Sequence, residues 1–452
     1  MYALLVAIYI LFTFLIIRNT GEKRLLCLLL GVFMLPNNII IINNSMFMGY
    51  MLYVSAFILS LIYHKELKLK DISNCPVYPQ LMLVLISCIL IGLFDDRMGP
   101  VTGIWRSVQY FMKTFLLFAF GWLTLKKQPG FIEAGYTNKN NIVFSKLLPI
   151  TLIITFYGLV TAVTKSNPIL DAVGLEDRFF FEDDESYRAF RVTGANVSSS
   201  VYGLTCAVFF MCCCFLTKKR NVILYAALGL LFVNCFLSAT RAAMIPFIVG
   251  LAFFIILNKG VSKGLKYLTI ATIATILVFP ILPQGIKNYA SQLVESIEDV
   301  VLPSGTGGEK FQGSSIEKRD MQIAASMAYL EKKPWFGHGI SYAKEVILKG
   351  EKDDELLGME SYLCFIGIEL GLVYAVAIVI FFIACIVYFM KNRRYNRDYA
   401  DIGAIFVVMY ILFLIYAWVG DAWFIMMPVL GYIMKTVYIS KQRTLMMQTK
   451  VK

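Results

Sequence analysis

The chain is a succession of apolar runs on the order of 20 residues long, each ending in a basic cluster or a polar turn. Runs of this length match the hydrocarbon thickness of a bilayer, about 20 residues per helix. Of 452 residues, 58% are hydrophobic and 16% are charged, whereas about a quarter are charged in soluble domains. We predict an all-α integral membrane protein, one polytopic domain over residues 1–452 with about 12–14 transmembrane helices. The expected spans are 2–17, 25–42, 46–63, 80–94, 107–125, 147–164, 195–217, 221–238, 242–257, 266–282, 361–390, 400–418 and 422–438.

The net charge of +12 is distributed as short basic clusters between these runs. Such clusters mark cytoplasmic loops under the positive-inside rule, so topology explains the basicity and we expect no nucleic-acid partner. Placing every cluster inside puts the N-terminus outside and the C-terminus inside. Residues 2–17 are expected to be a first span, because no basic residue precedes them and no small-residue cleavage site follows. Pro36 and several asparagines within 18–45 leave the parity of the span count open.

Two hydrophilic segments are then expected on the extracytoplasmic face, a short loop at 165–194 and a large loop at 283–359. In the large loop, apolar residues at helical spacing predict an amphipathic helix at 286–300, and a second helix is expected at about 315–332. The sequence "KKPWFGHG" ends this second helix, because Pro334 and two glycines interrupt it. A loop of this length is usually functional.

The cysteines and histidines do not indicate a metal site. Nine of the ten cysteines lie in apolar runs, and the chain has only two histidines. The extracytoplasmic loops carry no cysteine, so no disulfide framework and no metal-ligand spacing is present in the sequence. We therefore expect a protein without metal or cofactor.

Several arginines lie on the predicted extracytoplasmic side, apart from the basic clusters. Arg241 is the only charged side chain between Arg220 and Lys259, in "NCFLSATRAAMIPFIVG", and a guanidinium near hydrocarbon costs several kcal/mol unless it is paired. Arg191 stands at the expected start of another span, and Arg319 on the second loop helix. The planar guanidinium suits phosphate oxygens, so arginines that converge would bind a diphosphate without metal. The alternative is that each arginine anchors a helix end at the lipid headgroups.

Four segments, in order along the chain, carry a resemblance to a known family. They are "RVTGANVSSSVYG", "LSATRAAMIPFIVG", "RDMQIAASMAYLEKKPWFGHGI" and "ESYLCFIGIELGLVY". Together with the hydropathy profile and the position of the large loop, they resemble the bacterial O-antigen ligase and polymerase superfamily over roughly residues 188–375.

This resemblance implies a glycosyltransferase of the bacterial cytoplasmic (inner) membrane with its active site on the extracytoplasmic face. Donor and acceptor glycans would both be carried on undecaprenyl diphosphate. Arg241 and Arg191 match the arginines that engage the diphosphate, and Glu360 stands where ligases carry a histidine that takes the acceptor proton. A carboxylate in apolar surroundings can serve as this base, although Glu360 could equally cap the helix that it opens. The glutamate in place of this histidine favours a polymerase of O-antigen, capsule or exopolysaccharide repeat units over a ligase.

Further candidates for substrate binding accompany these three residues. Arg319 and His338 lie in the large loop, Ser238 and Thr240 in the turn before Arg241, and Tyr362 and Asp421 near later span ends. For His338 and Asp421, the alternative to substrate binding is a structural role as turn residues. Besides the polymerase, two functions stay open: transfer of a finished glycan to another acceptor by a ligase, and lipid-linked oligosaccharide transport by a flippase. A transporter usually has charges at the bilayer midplane and two related halves, which this sequence lacks. Membrane lipid and a chain-length regulator are the remaining candidate partners.

Overall fold

The structure is a computed structural model in which α-helices dominate the described residues. It describes residues 2–36, 40–42, 45–47, 49–125, 142–173, 191–196, 198–216, 221–238, 240–278, 280, 316–343, 345, 359, 361–417 and 422–451. The helices are Tyr2–Arg18 (α1), Gly21–Met34 (α2), Tyr50–Tyr63 (α3), Leu69–Ser73 (α4), Tyr78–Leu93 (α5), Pro100–Thr114 (α6), Leu116–Leu123 (α7), Ile142–Thr164 (α8), Pro168–Asp171 (α9), Ser199–Leu216 (α10), Val222–Leu237 (α11), Arg241–Lys259 (α12), Val261–Val278 (α13), Ile316–Lys332 (α14), Tyr362–Phe365 (α15), Gly371–Asn392 (α16), Arg397–Tyr416 (α17) and Trp423–Val451 (α18). A π-helix, Ile366–Leu370, joins α15 to α16.

Membrane-spanning helices are present, which confirms the predicted all-α membrane class. Among the described residues, four helices are long and apolar enough to cross a bilayer. They are Arg241–Lys259, Tyr362–Asn392, Arg397–Ile415 and Trp423–Thr449. Six shorter apolar helices of 10–17 residues accompany them. The total of about 12–14 spans stays a prediction.

The expected span at 25–42 is wrong, because the helix in this region ends at Met34. Leu35 precedes Pro36 and is extended, with φ −130° and ψ 141°. Proline disfavours the helical conformation of the residue before it. The following segments Ile40–Ile42 and Ser45–Phe47 form an antiparallel strand pair in which Ile40 is the partner of Phe47.

Two other spans differ from the expected bounds. The run predicted at 107–125 is two adjoining helices, α6 and α7, and α6 begins at Pro100, whose fixed φ suits a first helical turn. The last helix, expected to end at 438, continues to Val451. It crosses α7 very closely, because a Cβ on Gly431 would lie 2.0 Å from the Phe118 carbonyl oxygen. A Cβ on Gly121 would lie 1.9 Å from the Pro428 carbonyl oxygen, so neither glycine can be replaced without separating the helices.

Arg24 belongs to the first of the basic clusters assigned to cytoplasmic loops, with Lys23, but its side chain is a buried cation. Its guanidinium donates to Glu66 Oε2 at 2.5 Å and to Ser60 Oγ at 3.0 Å. The side chains of Arg24 and Glu66 are 0% and 2% exposed. The guanidinium also lies 4.5 Å from the centre of the Phe57 ring. The pair therefore ties the start of α2 to the end of α3.

The helices of the family-like region form one packed group with two distinct ends. Near the C-terminus of α12, the Leu257 carbonyl accepts a 2.6 Å hydrogen bond from Arg393, directly after α16. Helices α12 and α16 therefore end at the same side of the bundle. Each rises about 1.5 Å per residue over 19 and 22 residues. Arg397, at the start of α17, also bonds the Leu257 carbonyl, so α17 runs back along α12. The first residues of α12 and α16 therefore lie on the opposite side of the bundle, which we call the arginine end.

Candidate functional site

The arginine end brings together two segments that are distant in the sequence. The Val192 amide donates to the Leu237 carbonyl at 3.1 Å, so the residue after Arg191 is bonded to the last residue of α11. A Cβ on Gly203 would lie 2.4 Å from Ser238 Oγ and 2.6 Å from Ala243 Cβ. The beginnings of α10 and α12 are therefore in direct contact. Arg191 and Arg241, both half-buried, belong to these neighbouring segments.

Three hydrogen bonds cap the end of α11 at this site. Ser238 donates from its amide to the Asn234 carbonyl at 3.0 Å and from its hydroxyl to the Cys235 carbonyl at 2.7 Å. Together with the bond from Val192, these contacts satisfy the terminal carbonyls that carry the negative end of the helix dipole. The N-termini of α10 and α12, where the dipole is positive, face the same end. The arrangement therefore favours an anion.

The hydroxyls predicted to bind substrate are inside the protein. Ser238 is 0% exposed, and its Oγ lies 3.3 Å from Thr240 Oγ1, which is 6% exposed. Their observed contacts shape the turn before Arg241. Direct contact of either hydroxyl with substrate stays a prediction.

A polar network that the sequence analysis missed holds the segment after Arg191. Asn167 donates from Nδ2 to Thr193 Oγ1 and to the Gly194 carbonyl, both at 2.9 Å. Its Oδ1 accepts from the Tyr157 hydroxyl at 2.7 Å. Asn167 is 4% exposed, so these bonds are made away from solvent. The network fixes the backbone that follows Arg191 to the region after α8.

Residues 333–343 and 345, which we call the docked loop, pack against the π-helix that precedes α16. The His338 and Gly339 amides donate to the Ile368 and Glu369 carbonyls at 2.9 and 3.0 Å. The Leu372 amide returns a bond of 2.8 Å to the Pro334 carbonyl. A π-helical turn breaks the regular intrahelical bonding pattern. The docked loop thus forms hydrogen bonds with backbone groups of the π-helix and of the first turn of α16.

Glu369 fixes the other half of the docked loop. Its carboxylate is inside the protein, with 7% of the residue exposed. Oε2 accepts from the Ser341 amide at 3.0 Å, and Oε1 accepts from the Ala343 amide at 3.1 Å. A carboxylate that bonds two amides at a helical turn acts as a cap. The sequence signal for this role is an acidic residue within an otherwise apolar run.

Charged side chains of α6 and of the turn between α5 and α6 bond the docked loop. Arg97 donates to Glu345 Oε2 at 2.5 Å, to the Ile340 carbonyl at 3.0 Å and to Asp95 Oδ2 at 2.9 Å. Arg106 bonds the other Glu345 oxygen at 3.0 Å. These bonds therefore attach the docked loop, which precedes α15, to α5 and α6.

A further ion pair joins Lys333, at the start of the docked loop, to Asp96. The hydrogen bond from the Lys333 ammonium, and then its charge, lower the pKa of Asp96. The Asp96 side chain is 74% exposed, so solvent screens the pair. This contact helps to fix the position of the docked loop but contributes little to the free energy of unfolding.

Removal of Arg97 is expected to loosen the docked loop. The Arg97→Gln substitution removes bonds to both Glu345 and the Ile340 carbonyl, and should lower the free energy of unfolding by about 1–2 kcal/mol. Arg106→Gln is the matched control, because Arg106 is 41% exposed, and should cost less than about 0.5 kcal/mol. Hydrogen exchange of residues 338–345, together with thermal unfolding in detergent, measures both. Equal protection in the two variants would contradict the assignment.

His338 is held within the docked loop. Its Nε2 lies 3.1 Å from the Tyr329 carbonyl, and its ring stacks on Tyr342 with centroids 4.6 Å apart. Burial lowers the pKa of His338, and this effect exceeds that of the bond to Tyr329. Burial therefore favours the neutral imidazole. Its observed contacts are structural, and a contact with substrate stays a prediction.

Tyr362 lies in the core of the bundle. It is 5% exposed, its hydroxyl is 2.9 Å from that of Tyr374, and it also bonds the hydroxyl of Tyr110. These contacts provide partners for its hydroxyl inside the protein. A role in sugar binding is not apparent in this arrangement and stays a prediction.

The remaining predicted site residues are less fully described. Arg319 belongs to α14, whose bounds Ile316–Lys332 agree with the expected helix, but its side chain lies outside the described part. Glu360, Asp421, the helix expected at 286–300 and most of the loops 165–194 and 283–359 also lie outside the described residues. Among the residues that are described, no group of three His, Cys, Asp or Glu side chains could hold a metal ion.

The comparisons with known proteins address the family. A family model described as O-antigen ligase matches residues 226–377. The matched residues include the Arg241 segment, α14, the docked loop and the π-helix, whereas Arg191 precedes them. No curated protein matches the chain. The match over residues 226–377 confirms the resemblance to the O-antigen ligase and polymerase superfamily. Together with the membrane-spanning helices, it indicates a multi-pass membrane protein that processes glycans and resembles a glycosyltransferase.

Proposed function

We propose that this protein is a membrane glycan polymerase that joins oligosaccharide repeat units carried on undecaprenyl diphosphate. The growing chain is the donor and a single lipid-linked repeat unit is the acceptor. The acceptor hydroxyl oxygen forms a bond to the anomeric carbon of the donor's reducing-end sugar. The bond from that carbon to the diphosphate oxygen breaks, and its electron pair leaves with undecaprenyl diphosphate. One displacement inverts the anomeric configuration.

The observation that supports this function is the bond between Val192 and Leu237, which brings the Arg191 and Arg241 segments together beside two helix N-termini. Guanidinium groups match phosphate oxygens in geometry and stay charged at every working pH. A pair of them at one site neutralises the charge that develops on the diphosphate as it leaves. This electrostatic role is one that Mg²⁺ fills in other enzymes, so we propose a metal-independent reaction.

The other predicted residues take supporting roles in this proposal. Glu360 accepts the proton of the attacking hydroxyl as general base. Arg319, His338 and Asp421 contact the glycans or the phosphates, and the loops at 165–194 and 283–359 hold the acceptor close to the donor. The reaction takes place on the extracytoplasmic face of the bacterial cytoplasmic membrane. A chain-length regulator would act on the same growing chain.

The direct test uses purified protein in detergent with lipid-linked repeat units of the native glycan, in EDTA. A ladder of longer lipid-linked glycans is expected, and Glu360→Gln should abolish the ladder while lipid-linked substrate still binds. Full activity of Glu360→Gln would show that this carboxylate is only a helix cap. Transfer solely to a different acceptor would identify a ligase. Movement of the lipid-linked glycan across the membrane of reconstituted vesicles, without chain growth, would identify a flippase.

A further inference from the structure

Asn196 is a buried amide at the arginine end whose hydrogen-bonding capacity is unused. The residue is 1% exposed, and neither Nδ2 nor Oδ1 has a hydrogen-bond partner within the part of the chain that the structure describes. Its main-chain amide is engaged, donating to the Thr193 carbonyl at 2.9 Å. Asn196 thus lies in the tight turn between Arg191 and α10. A buried polar group without a partner is costly, and native proteins keep few of them.

Two other buried asparagines of the same region show that this is not a general feature. Asn234 donates from Nδ2 to the Thr155 and Leu230 carbonyls at 3.0 and 2.8 Å, and its Oδ1 accepts from Tyr202 at 2.9 Å. Asn167 likewise uses both ends of its amide. The local packing therefore supplies partners where an asparagine has a structural role. Asn196 differs from both.

The chemistry of the amide restricts what its partner is. A primary amide offers a donor and an acceptor side by side, whichever way the group is oriented. A phosphate oxygen accepts only, so a diphosphate would satisfy Nδ2 and leave Oδ1 unpaired. A sugar hydroxyl both donates and accepts, and two neighbouring hydroxyls satisfy both atoms. Two neighbouring sugar hydroxyls therefore satisfy this amide more completely than a diphosphate does.

We infer that Asn196 binds two neighbouring hydroxyl groups of the sugar attached to the diphosphate, and so selects the donor at its reducing end. This inference rests on the proposed function, because it places that sugar beside Arg191. A site built to bond a hydroxyl rejects an analogue that lacks it, because the buried partner is then left unpaired. Asn196 acts here as a specificity residue rather than as a source of charge.

The test measures binding rather than turnover. Purified protein in detergent is titrated with undecaprenyl diphosphate, with undecaprenyl diphosphate carrying one hexose, and with the 2,3-dideoxy analogue of that hexose. The wild type is expected to bind the hexose ligand most tightly. Asn196→Leu, similar in size, should weaken binding of the hexose ligand by about 10- to 100-fold and leave undecaprenyl diphosphate unchanged. The variant should then no longer distinguish the hexose from its dideoxy analogue.

Thermal unfolding of the ligand-free protein provides the second readout. Asn196→Leu should not lower the unfolding temperature, because it replaces an unpaired buried amide by an apolar group. The control Asn234→Leu should lower it, since three bonds are lost. A destabilised Asn196→Leu, or one that keeps its preference for the hexose, would overturn the inference.

Arg241→Ala separates this inference from the proposed function. If it loses affinity for both undecaprenyl diphosphate and the hexose ligand while Asn196→Leu binds as wild type, the diphosphate site stands and the sugar contact does not exist. If the wild type binds neither ligand, the proposed function and the sugar contact both fail.

Discussion

The Arg241→Ala variant is expected to lose at least about 100-fold in the rate of glycan chain growth, the cost typical of removing one group that stabilises transition-state charge. Arg241 begins α12, beside the Arg191 segment that Val192 bonds to Leu237. Without its guanidinium, the leaving diphosphate lacks one of the two cations that neutralise its charge in the proposed reaction. Arg241→Lys should recover only part of the rate, because an ammonium cannot form two parallel bonds to phosphate oxygens.

Arg397→Ala is the matched control for this substitution. Like Arg241, Arg397 is the first residue of a helix, and it donates to the Asn258 carbonyl at 3.2 Å. It lies at the opposite end of α12, so its loss should leave chain growth close to the wild-type rate. The measurement is the initial rate of ladder formation from lipid-linked repeat units, with binding of undecaprenyl diphosphate measured in parallel. Chain growth by Arg241→Ala within about threefold of wild type, under 1 kcal/mol of barrier, would refute the leaving-group role.

The helices were the part of this fold that local patterns could predict. The helix expected at about 315–332 is observed at Ile316–Lys332, because apolar spacing and the following "KKPWFGHG" mark both its face and its end. The span expected at 25–42 failed because hydropathy ignores the restriction that Pro36 places on Leu35. The charge pattern assigned the Arg24 cluster to a cytoplasmic loop, and no local pattern indicates that Glu66 pairs with Arg24 inside the protein.

The sequence could predict the arginines of the candidate site but not the hydrogen bonds and ion pairs that hold the surrounding segments in place. Arg241 stands out because a lone charge in an apolar run needs a functional or structural reason. The contacts of Asn167 with Thr193, and of Arg97 with Glu345, join residues far apart in the sequence. Such pairs are set by the three-dimensional packing of helices, and one sequence alone carries no trace of them.

The junction between the π-helix and α16 depends on a backbone conformation that only glycine adopts easily. Gly371 has φ 70° and ψ −178°, a region that costs other residues about 1–3 kcal/mol. A Cβ at this position would also lie 2.5 Å from the Gly337 amide nitrogen and 2.6 Å from the Trp335 carbonyl oxygen. These atoms are backbone of the docked loop, so they cannot move aside without breaking its bonds to the π-helix.

Gly371→Ala is therefore expected to lower the free energy of unfolding by about 2–4 kcal/mol, the sum of backbone strain and a forced displacement of the loop. Gly367→Ala is the control within the same π-helix, since its Cβ would meet the Ser326 carbonyl oxygen at 3.5 Å, an ordinary contact. That variant should be neutral, because alanine is the better helix former. Thermal unfolding in detergent and hydrogen exchange of residues 338–345 measure both. Since α16 begins at the arginine end, Gly371→Ala should also slow chain growth. A Gly371→Ala protein as stable and as well protected as Gly367→Ala would mean that the docked loop does not depend on this close approach.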